Sequence, residues 1–259
     1  MADLLTLVHT GPVATLTLNR PALHNAFNAE LIAELHAACE EIARDATLRV
    51  LVLQGAGPSF CAGADLNWMR ASLAYTREEN LADAGRLDAM LTAMNTLPVA
   101  VVGRIHGTTM GGGVGLAACC DLVIAAEGAT FGFSETRLGL LPAVIARPVV
   151  RKIGPGHARA LFVSARRFNA HQALAIGLVH EVVPAPQLDT AVARGVADLL
   201  CCGPQAITAA KALIEATMTL PTEEARAYAI AAIATARTGP EGQEGLRAFL
   251  EKRAATWAE

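Results

Sequence analysis

The chain has 259 residues and a net charge of −3, from 21 basic and 24 acidic side chains. This length favours one large domain over two small ones, and roughly 70% of the extended surface can be buried on folding without disulfides or metals. Neither charge sign forms a run, which excludes a polybasic nucleic-acid surface. Any anion that the protein binds must therefore be held by local contacts.

The mean hydropathy of +0.38 raises the question of a membrane span. The apolar stretch 111–126 is interrupted by Asp121, and the stretch 98–103 ends at Arg104, so neither reaches the roughly 20 residues that cross a bilayer. The first residues contain Asp3 and no basic segment, so no secretory signal is visible. The sequence therefore predicts a cytoplasmic protein with no membrane partner.

The six cysteines occur in apolar surroundings, include two adjacent pairs and form no C-x-x-C motif. Spacing of this kind favours free, buried thiols over disulfides or a zinc site. The seven histidines are scattered along the chain and are interpreted as structural or exposed. No metal ion is expected.

Strands and helices alternate in the first part of the chain. Short runs rich in β-branched residues predict strands over residues 13–18, 49–54, 99–104 and 122–125. Apolar residues at helical spacing predict helices over residues 29–44 and 77–94. This alternation indicates an α/β fold.

The last third of the chain reads as helical throughout. The predicted helices cover residues 170–176, 187–200, 204–218, 223–235 and 241–257. The breakers Gly203-Pro204, Pro221 and Gly239-Pro240 are expected to separate these helices.

A loop of small residues, 59–66, follows the second predicted strand. Small residues let a ligand approach the backbone, and successive N–H groups can point at an anion or a polarised carbonyl. The alternative is a plain strand-to-helix connection capped by Asp65, and the loop taken alone favours this simpler interpretation.

A glycine-rich segment, 107–116, links the third predicted strand to a short helix that runs through Cys120. Glycines at a helix start leave free N–H groups at the positive end of the helix dipole, which suits negative charge developing on an oxygen. A dinucleotide fingerprint would need a small residue in place of Leu116, and a P-loop would need a Gly-Lys-Ser/Thr sequence. An oxyanion cradle is therefore the preferred interpretation.

Glu135 is flanked by apolar residues in the segment 131–139. A carboxyl group in apolar surroundings can have a raised pKa and exchange protons near neutral pH. A surface glutamate that caps the next helix is the more common role of an isolated Glu. No nucleophile elbow or metal-binding spacing accompanies it.

The order of several motifs is more informative than any one of them. The motifs are Leu18-Asn-Arg-Pro21 with Asn25-Ala26, Phe60-x-Ala-Gly-Ala-Asp65, His106-Gly107 with the triple glycine, Cys120-Asp121-Leu122, Phe131-Gly132 with Glu135, Gly177-Leu178-Val179 with Val182-Val183, and the terminal segment 248–253. In this set and order the chain resembles the enoyl-CoA hydratase/isomerase (crotonase) family over essentially its whole length.

The resemblance implies an α/β fold built as a spiral of ββα turns, with a helical C-terminal trimerisation region. Residues 1–200 would form the spiral core with the CoA and acyl pocket, and residues 201–259 the helical oligomerisation region. The implied substrate is an acyl-CoA thioester, so coenzyme A is part of the substrate and no cofactor is bound permanently. The implied assembly is a homotrimer or a hexamer of two trimers, with no nucleic-acid partner.

The resemblance also implies the site residues. The backbone N–H groups of Ala64 and Gly112 would form the oxyanion hole, and Glu135 would be the catalytic acid and base. Further contacts to the substrate or to CoA are expected from Ala62, Gly63, Asp65, Leu66, Gly111, Gly115, Phe249 and Lys252. Phe249 and Lys252 would meet the CoA adenine and phosphate, often across a subunit boundary, although Lys252 equally fits an ordinary solvated lysine.

The sequence departs from the family pattern at two places. Gly115 stands where hydratases of the family have a second catalytic glutamate, and a single carboxylate is also enough for a double-bond isomerase. The segment 142–146 carries bulkier residues than many relatives, which either reshape the acyl pocket or fill core. With these two departures, the chain resembles bacterial methylglutaconyl-CoA hydratase-like members of the family.

Three functions are compatible with these residues and with the family resemblance. The preferred one is hydration of a 2-enoyl-CoA, with a branched or carboxylated acyl group such as 3-methylglutaconyl-CoA. Room beside Gly115 would accept the substrate carboxylate, and Arg137 and Arg147 are candidates for pairing with it. The alternatives are an enoyl-CoA double-bond isomerase and a non-catalytic CoA- or RNA-binding scaffold.

Overall fold

The computed structural model describes residues 4–258, which form nine β-strands and ten α-helices. The strands are β1 Leu5–Thr10, β2 Val13–Leu18, β3 Val50–Gly55, β4 Ala100–Ile105, β5 Thr108–Met110, β6 Leu122–Ala126, β7 Thr130–Gly132, β8 Arg167–Asn169 and β9 Glu181–Val183. The helices are α1 Ala29–Arg44, α2 Leu66–Ser72, α3 Arg77–Asn95, α4 Gly112–Cys119, α5 Ala146–Ser164, α6 Ala170–Ala175, α7 Leu188–Leu200, α8 Pro204–Thr219, α9 Thr222–Thr238 and α10 Pro240–Glu251. A short 3-10 helix, Glu135–Leu138, follows β7.

The strands form two sheets. The larger sheet has the order β1-β2-β3-β4-β6-β9, in which β1 and β2 are antiparallel and every later pair is parallel. The smaller sheet has the order β5-β7-β8, with β5 and β7 parallel and β7 and β8 antiparallel.

The chain visits both sheets before α2, α4 and α5. β4 is followed by β5 and α4, and β6 is followed by β7 and α5. Earlier in the chain, β3 is followed by Cys61, which forms a parallel bridge to Thr109 of β5, and then by α2. These three successive strand–strand–helix turns confirm the predicted spiral.

The larger sheet is buried on both faces. Leu51 and Leu53 of β3 face the main core, which α1, α3, α4 and α5 cover. Val50 and Val52 face a second apolar cluster, which α7 covers with Leu188 and Val192. Because successive side chains of a strand point to opposite faces, double burial produces the continuous apolar runs that identified these strands in the sequence.

The predicted elements of the first half are confirmed to within one or two residues. The expectation that the last third of the chain is helical throughout is wrong, because β9 adds a sixth strand to the larger sheet by pairing with β6. β8 and β9 have three residues each, which is too short for a periodic pattern. The edge strand β1 was not predicted, and most of its side chains are exposed.

The terminal helix is shorter than the predicted 241–257. It ends at Glu251 because Lys252 adopts a left-handed conformation with φ 57°, which stops the helix. The chain then turns back: Arg253 pairs with Glu244, and the Trp257 indole N–H donates to the Cys201 carbonyl at 3.2 Å.

Arg49 ties the C-terminal helices to the sheet. Its guanidinium donates to the backbone carbonyls of Leu200, Cys202 and Trp257. The first two of these carbonyls lie at and just beyond the end of α7, where the helix dipole favours a cation. The predicted boundary between residues 200 and 201 lies between α7 and α8, and the oligomerisation role of the second part stays a prediction.

Four cysteines, Cys39, Cys61, Cys119 and Cys120, are free and buried as expected. The expectation of burial is wrong for Cys201 and Cys202, which are free but exposed after the end of α7. Within residues 4–258, no helix is long and apolar enough to cross a membrane. The absence of a secretory signal was judged on the first residues, of which 1–3 lie outside the described part.

Candidate active site

A cavity of about 600 Å³ lies between α2, the start of α4 and the 3-10 helix. Its wall is mostly apolar and includes Phe27, Leu87, Met110, Leu141 and Ile145. Seven of the predicted site residues also line it: Ala62, Gly63, Ala64, Leu66, Gly111, Gly112 and Glu135. A small-molecule site of this kind is expected to be apolar with a few polar groups.

The loop of residues 60–65 is held on both sides of Ala64. The Phe27 N–H donates to the Gly63 carbonyl at 2.7 Å, and the Asp65 N–H donates to the Phe27 carbonyl at 2.8 Å. The N–H group of Ala64 itself has no acceptor among the described residues. The loop therefore presents one free backbone donor at the cavity.

The start of α4 presents a second free donor. Gly112 is the first residue of the helix, so its N–H has no partner within the helix. Gly111 precedes it with φ 49°, a conformation that favours glycine. A Cβ atom on Gly112 would lie 2.5 Å from the Phe27 ring, so glycine allows Phe27 to fix the position of this helix start.

Glu135 is the one acidic residue among the described residues that line the cavity. Its Oε2 atom is buried and has no hydrogen-bond partner among the described residues. Burial raises the pKa of the Glu135 carboxyl above its usual range, against the opposing effect of the backbone N–H groups of Glu135 and Ser134. This carboxyl is suited to exchange a proton near neutral pH.

Asp65 does not line the cavity. Its carboxylate accepts a hydrogen bond from the Asn67 N–H at 2.7 Å, which caps α2, and forms an ion pair with Arg20 at 2.9 Å. The capping role that the sequence offered as the simpler interpretation is thus present. The side chain of Asp65 thus supports the loop, and its expected contact with substrate stays a prediction.

Gly115 does not line the cavity either, and the room expected beside it is absent. A Cβ on Gly115 would lie 2.4 Å from Cγ2 of Ile145, so the side chain of Ile145 fills that space. Gly115 is fully buried in α4 beneath this side chain. The prediction that this position accommodates a substrate carboxylate is therefore wrong.

The two candidate arginines differ. Arg147 is held in an ion pair with Glu215 at 2.7 Å, and Arg151 binds the same carboxylate. Arg147 therefore shares an acidic partner with Arg151, and it does not line the cavity. Arg137 lines the cavity, and so does Arg167, which the sequence analysis did not single out.

Phe249 and Lys252 lie apart from the cavity of their own chain. Phe249 on α10 is 81% exposed, and Lys252 is the left-handed residue that ends this helix. Within the described residues, neither contributes to the wall of the cavity. Their predicted role at CoA stays a proposal.

Sequence reasoning also missed Trp68 and Leu87 as wall residues, whereas it offered the segment that contains Ile145 as part of the acyl pocket. Trp68 is the third residue of α2, and its indole N–H is buried without a partner among the described residues. Leu87 belongs to the helical pattern of α3, and Ile145 to the segment that departs from the family pattern. That departure is the signal in the sequence that pointed to Ile145.

Comparison with known proteins identifies the family. The family model described as enoyl-CoA hydratase/isomerase matches residues 9–259. The chain is 35% identical to the Bacillus subtilis protein YngF, over 95% of this chain and 94% of that protein. It is 33% identical to crotonyl-CoA hydratase of Syntrophomonas wolfei, over 95% of this chain and 94% of that protein.

A solved structure shows the same architecture. The enoyl-CoA hydratase of Shewanella pealeana superposes with a TM-score of 0.94 at 36% identity, covering 98% of this chain and 96% of that one. The spiral of strand–strand–helix turns described above is thus the crotonase fold. The chain is an enzyme of the enoyl-CoA hydratase/isomerase family.

Proposed function

We propose that this enzyme adds water to the double bond of a 2-enoyl-CoA thioester. The observation that carries the proposal is that Glu135, whose Oε2 atom is buried without a partner among the described residues, lines the same apolar cavity as the free N–H groups of Ala64 and Gly112. Relatives over almost the whole chain, among them a crotonyl-CoA hydratase, support the same reaction.

The two backbone donors form the oxyanion hole in this proposal. The thioester oxygen accepts hydrogen bonds from Ala64 and Gly112, and these bonds strengthen as negative charge develops on that oxygen. Each such donor in a water-excluded site typically lowers the barrier by about 3 kcal/mol. The dipole of α4 adds to the stabilisation at Gly112.

Glu135 carries the proton. The water oxygen bonds to C3 while the Glu135 carboxylate accepts a proton from that water, and the same carboxyl delivers a proton to C2. The carboxyl thus ends in the state in which it began. A raised pKa supports this role, because a carboxyl with a pKa nearer neutrality both accepts and releases protons readily.

For the acyl group we propose a branched chain with a terminal carboxylate, such as 3-methylglutaconyl-CoA. Arg137 and Arg167 on the cavity wall support this proposal, because the described residues offer neither side chain an ion-pair partner. A guanidinium group binds a carboxylate with two parallel hydrogen bonds. Arg147 and the space at Gly115 no longer support it.

For the assembly we propose a homotrimer or a hexamer. Large apolar side chains are exposed on all three terminal helices, among them Ile214 on α8, Ile230 on α9 and Phe249 on α10. An apolar surface spread over three helices is typical of a protein interface. In such an assembly, Phe249 and Lys252 would reach the CoA of a neighbouring subunit.

A double-bond isomerase is the second candidate, and the single carboxyl in the cavity favours it. A panel of straight, branched and carboxylated 2-enoyl-CoA and 3-enoyl-CoA thioesters separates the candidates by product mass. Hydration gives products heavier by one water, whereas isomerisation leaves the mass unchanged. Absence of turnover on every thioester would instead support a non-catalytic CoA-binding scaffold.

A further inference from the structure

Gly115 and Ile145 lie against each other beside the cavity. A Cβ atom on Gly115 would lie 2.4 Å from Cγ2 of Ile145 and 3.0 Å from its Cβ. Carbon atoms without a bond between them are normally about 3.5–4.0 Å apart. Any residue other than glycine at position 115 would therefore displace Ile145.

Ile145 has little freedom to withdraw. It is 3% exposed, and its carbonyl accepts the Val149 N–H, which fixes its backbone at the start of α5. A β-branched side chain has few accessible rotamers in a helical conformation. A methyl group on Gly115 would thus push the Ile145 side chain towards the cavity that it lines.

Ile145 and the proposed proton carrier, Glu135, line the same cavity. A Cβ on Gly111 would lie 3.0 Å from Oε1 of Glu135, just as a Cβ on Gly115 would lie against Ile145. Gly111 and Gly115 are joined across the first turn of α4, because the Gly115 N–H donates to the Gly111 carbonyl at 3.1 Å. Ile145 therefore forms apolar wall of the cavity that also holds the Glu135 carboxyl.

We propose that Gly115 and Ile145 act as a pair that sets the size of the acyl group reaching Glu135. Gly115 leaves room for Ile145, and Ile145 closes the cavity to long acyl chains, so the preferred substrates have compact acyl groups. This inference rests on the proposed function for its substrates. The limit on acyl-chain length itself concerns the binding of acyl-CoA and does not depend on which reaction follows.

The test compares four proteins: wild type, Gly115→Ala, Ile145→Ala and the double variant. The first readout is the ratio of kcat/KM for 2-decenoyl-CoA to kcat/KM for crotonyl-CoA. We expect Ile145→Ala to raise this ratio about tenfold and Gly115→Ala to lower it about tenfold, each a change of roughly 1.4 kcal/mol. The double variant should return to within about threefold of wild type, because the added methyl then occupies the space that Ile145 vacates.

Val149→Ala is the matched control. Val149 lies one turn further along α5, is fully buried and does not line the cavity. The Val149→Ala variant reports the general effect of losing a core side chain. Its ratio of kcat/KM for 2-decenoyl-CoA to kcat/KM for crotonyl-CoA should therefore equal that of wild type. Thermal unfolding of each variant identifies any protein that fails to fold, and Ile145→Ala alone still decides the question if Gly115→Ala does not fold.

The second readout is calorimetric binding of butyryl-CoA and decanoyl-CoA, which cannot be hydrated. If the affinity ratio changes as predicted while no thioester is turned over, the size limit is correct and the hydratase proposal is wrong. The size limit is wrong if hydration occurs but Ile145→Ala changes the ratio no more than Val149→Ala does. It is also wrong if a folded Gly115→Ala variant keeps the wild-type ratio.

Discussion

Glu135 combines a chemical advantage with a cost in stability. Its Oε2 atom is buried without a partner, and burial raises the pKa of the carboxyl. A group held in this way disfavours its own charged form in the folded protein. Active sites retain such groups because the proton transfer requires them, and the rest of the fold compensates for the cost.

The cost predicts how stability depends on pH. The pKa of Glu135 is higher in the folded protein than in the unfolded chain. The contribution of Glu135 to the free energy of unfolding is therefore most favourable below the unfolded pKa of about 4.3, and it declines as pH rises through the folded pKa. Glu135→Gln removes this penalty. The variant should therefore unfold at a higher temperature than wild type at pH 7, and the difference should vanish near pH 4.

Thermal unfolding of both proteins between pH 4 and pH 8 checks this prediction. Glu127→Gln is a suitable control, because Glu127 is an exposed glutamate on the turn between β6 and β7. An unfolding difference for Glu135→Gln that is independent of pH would show that the carboxyl is not destabilised by its surroundings.

At the scale of elements, the position of the α4 N-terminus determines where charge can be stabilised. Phe27 packs on Gly112, and the carbonyl of Cys61 would lie 2.4 Å from a Cβ on Gly113. These close contacts fix the helix start relative to the loop that carries Ala64. The two free N–H groups are thus held by separate elements whose contacts leave little room for adjustment.

Ala64→Pro tests the oxyanion donors. Proline removes the N–H of residue 64 without adding a Cβ, whereas proline at 112 would bring a Cβ against Phe27. We expect kcat for enoyl-CoA hydration to fall by a factor of about 100 or more. Binding of butyryl-CoA should change by less than about threefold.

Ala64→Ser, which retains the N–H, is the matched control and should keep most of the activity. Circular dichroism and thermal unfolding establish that the proline variant is folded. If Ala64→Pro weakens binding and turnover to the same extent, the loop is disrupted in general and the donor role is not supported.

The sequence predicted the buried strands and long helices because their apolar side chains recur with a fixed period. It failed at β8 and β9, where three residues carry no period and pairing with distant strands decides the structure. In the site, Glu135 and the glycine-rich loops could be found from local sequence. The contact between Gly115 and Ile145 could not, because it joins positions thirty residues apart that only the folded chain brings together.

At the scale of the whole molecule, the helices α8–α10 leave an apolar surface that one chain does not cover. Ile230 is 60% exposed and Phe249 is 81% exposed. Arg49 nevertheless ties the segments before and after these helices to the sheet through the backbone carbonyls of Leu200, Cys202 and Trp257. A surface held in a defined position is suited to contact another subunit.

We therefore predict a trimer or a hexamer in sedimentation velocity. Ile230→Asp should shift the protein towards the monomer, because an unpaired carboxylate is costly to bury in an interface. Val163→Asp on α5, an exposed apolar position outside the terminal helices, should leave the assembly unchanged. A monomeric wild type would contradict the prediction.

Lys252 tests whether the assembly completes the site. If its ammonium group contacts CoA phosphate, Lys252→Ala should weaken CoA binding about fivefold at low ionic strength, and the difference should shrink as salt screens the contact. Lys252→Arg should retain most of the affinity. Equal affinity of wild type and Lys252→Ala at every salt concentration would exclude the contact.

The most direct test of the hydratase proposal is incubation of wild type and Glu135→Gln with crotonyl-CoA and 3-methylglutaconyl-CoA in oxygen-labelled water. For wild type we predict loss of the enoyl absorbance and a product that carries one labelled oxygen at C3. Glu135→Gln should retain less than a tenth of kcat, a barrier increase of more than roughly 1.4 kcal/mol, since the amide cannot exchange a proton. A product without labelled oxygen, or a Glu135→Gln enzyme that keeps more than a tenth of kcat, would contradict the proposal.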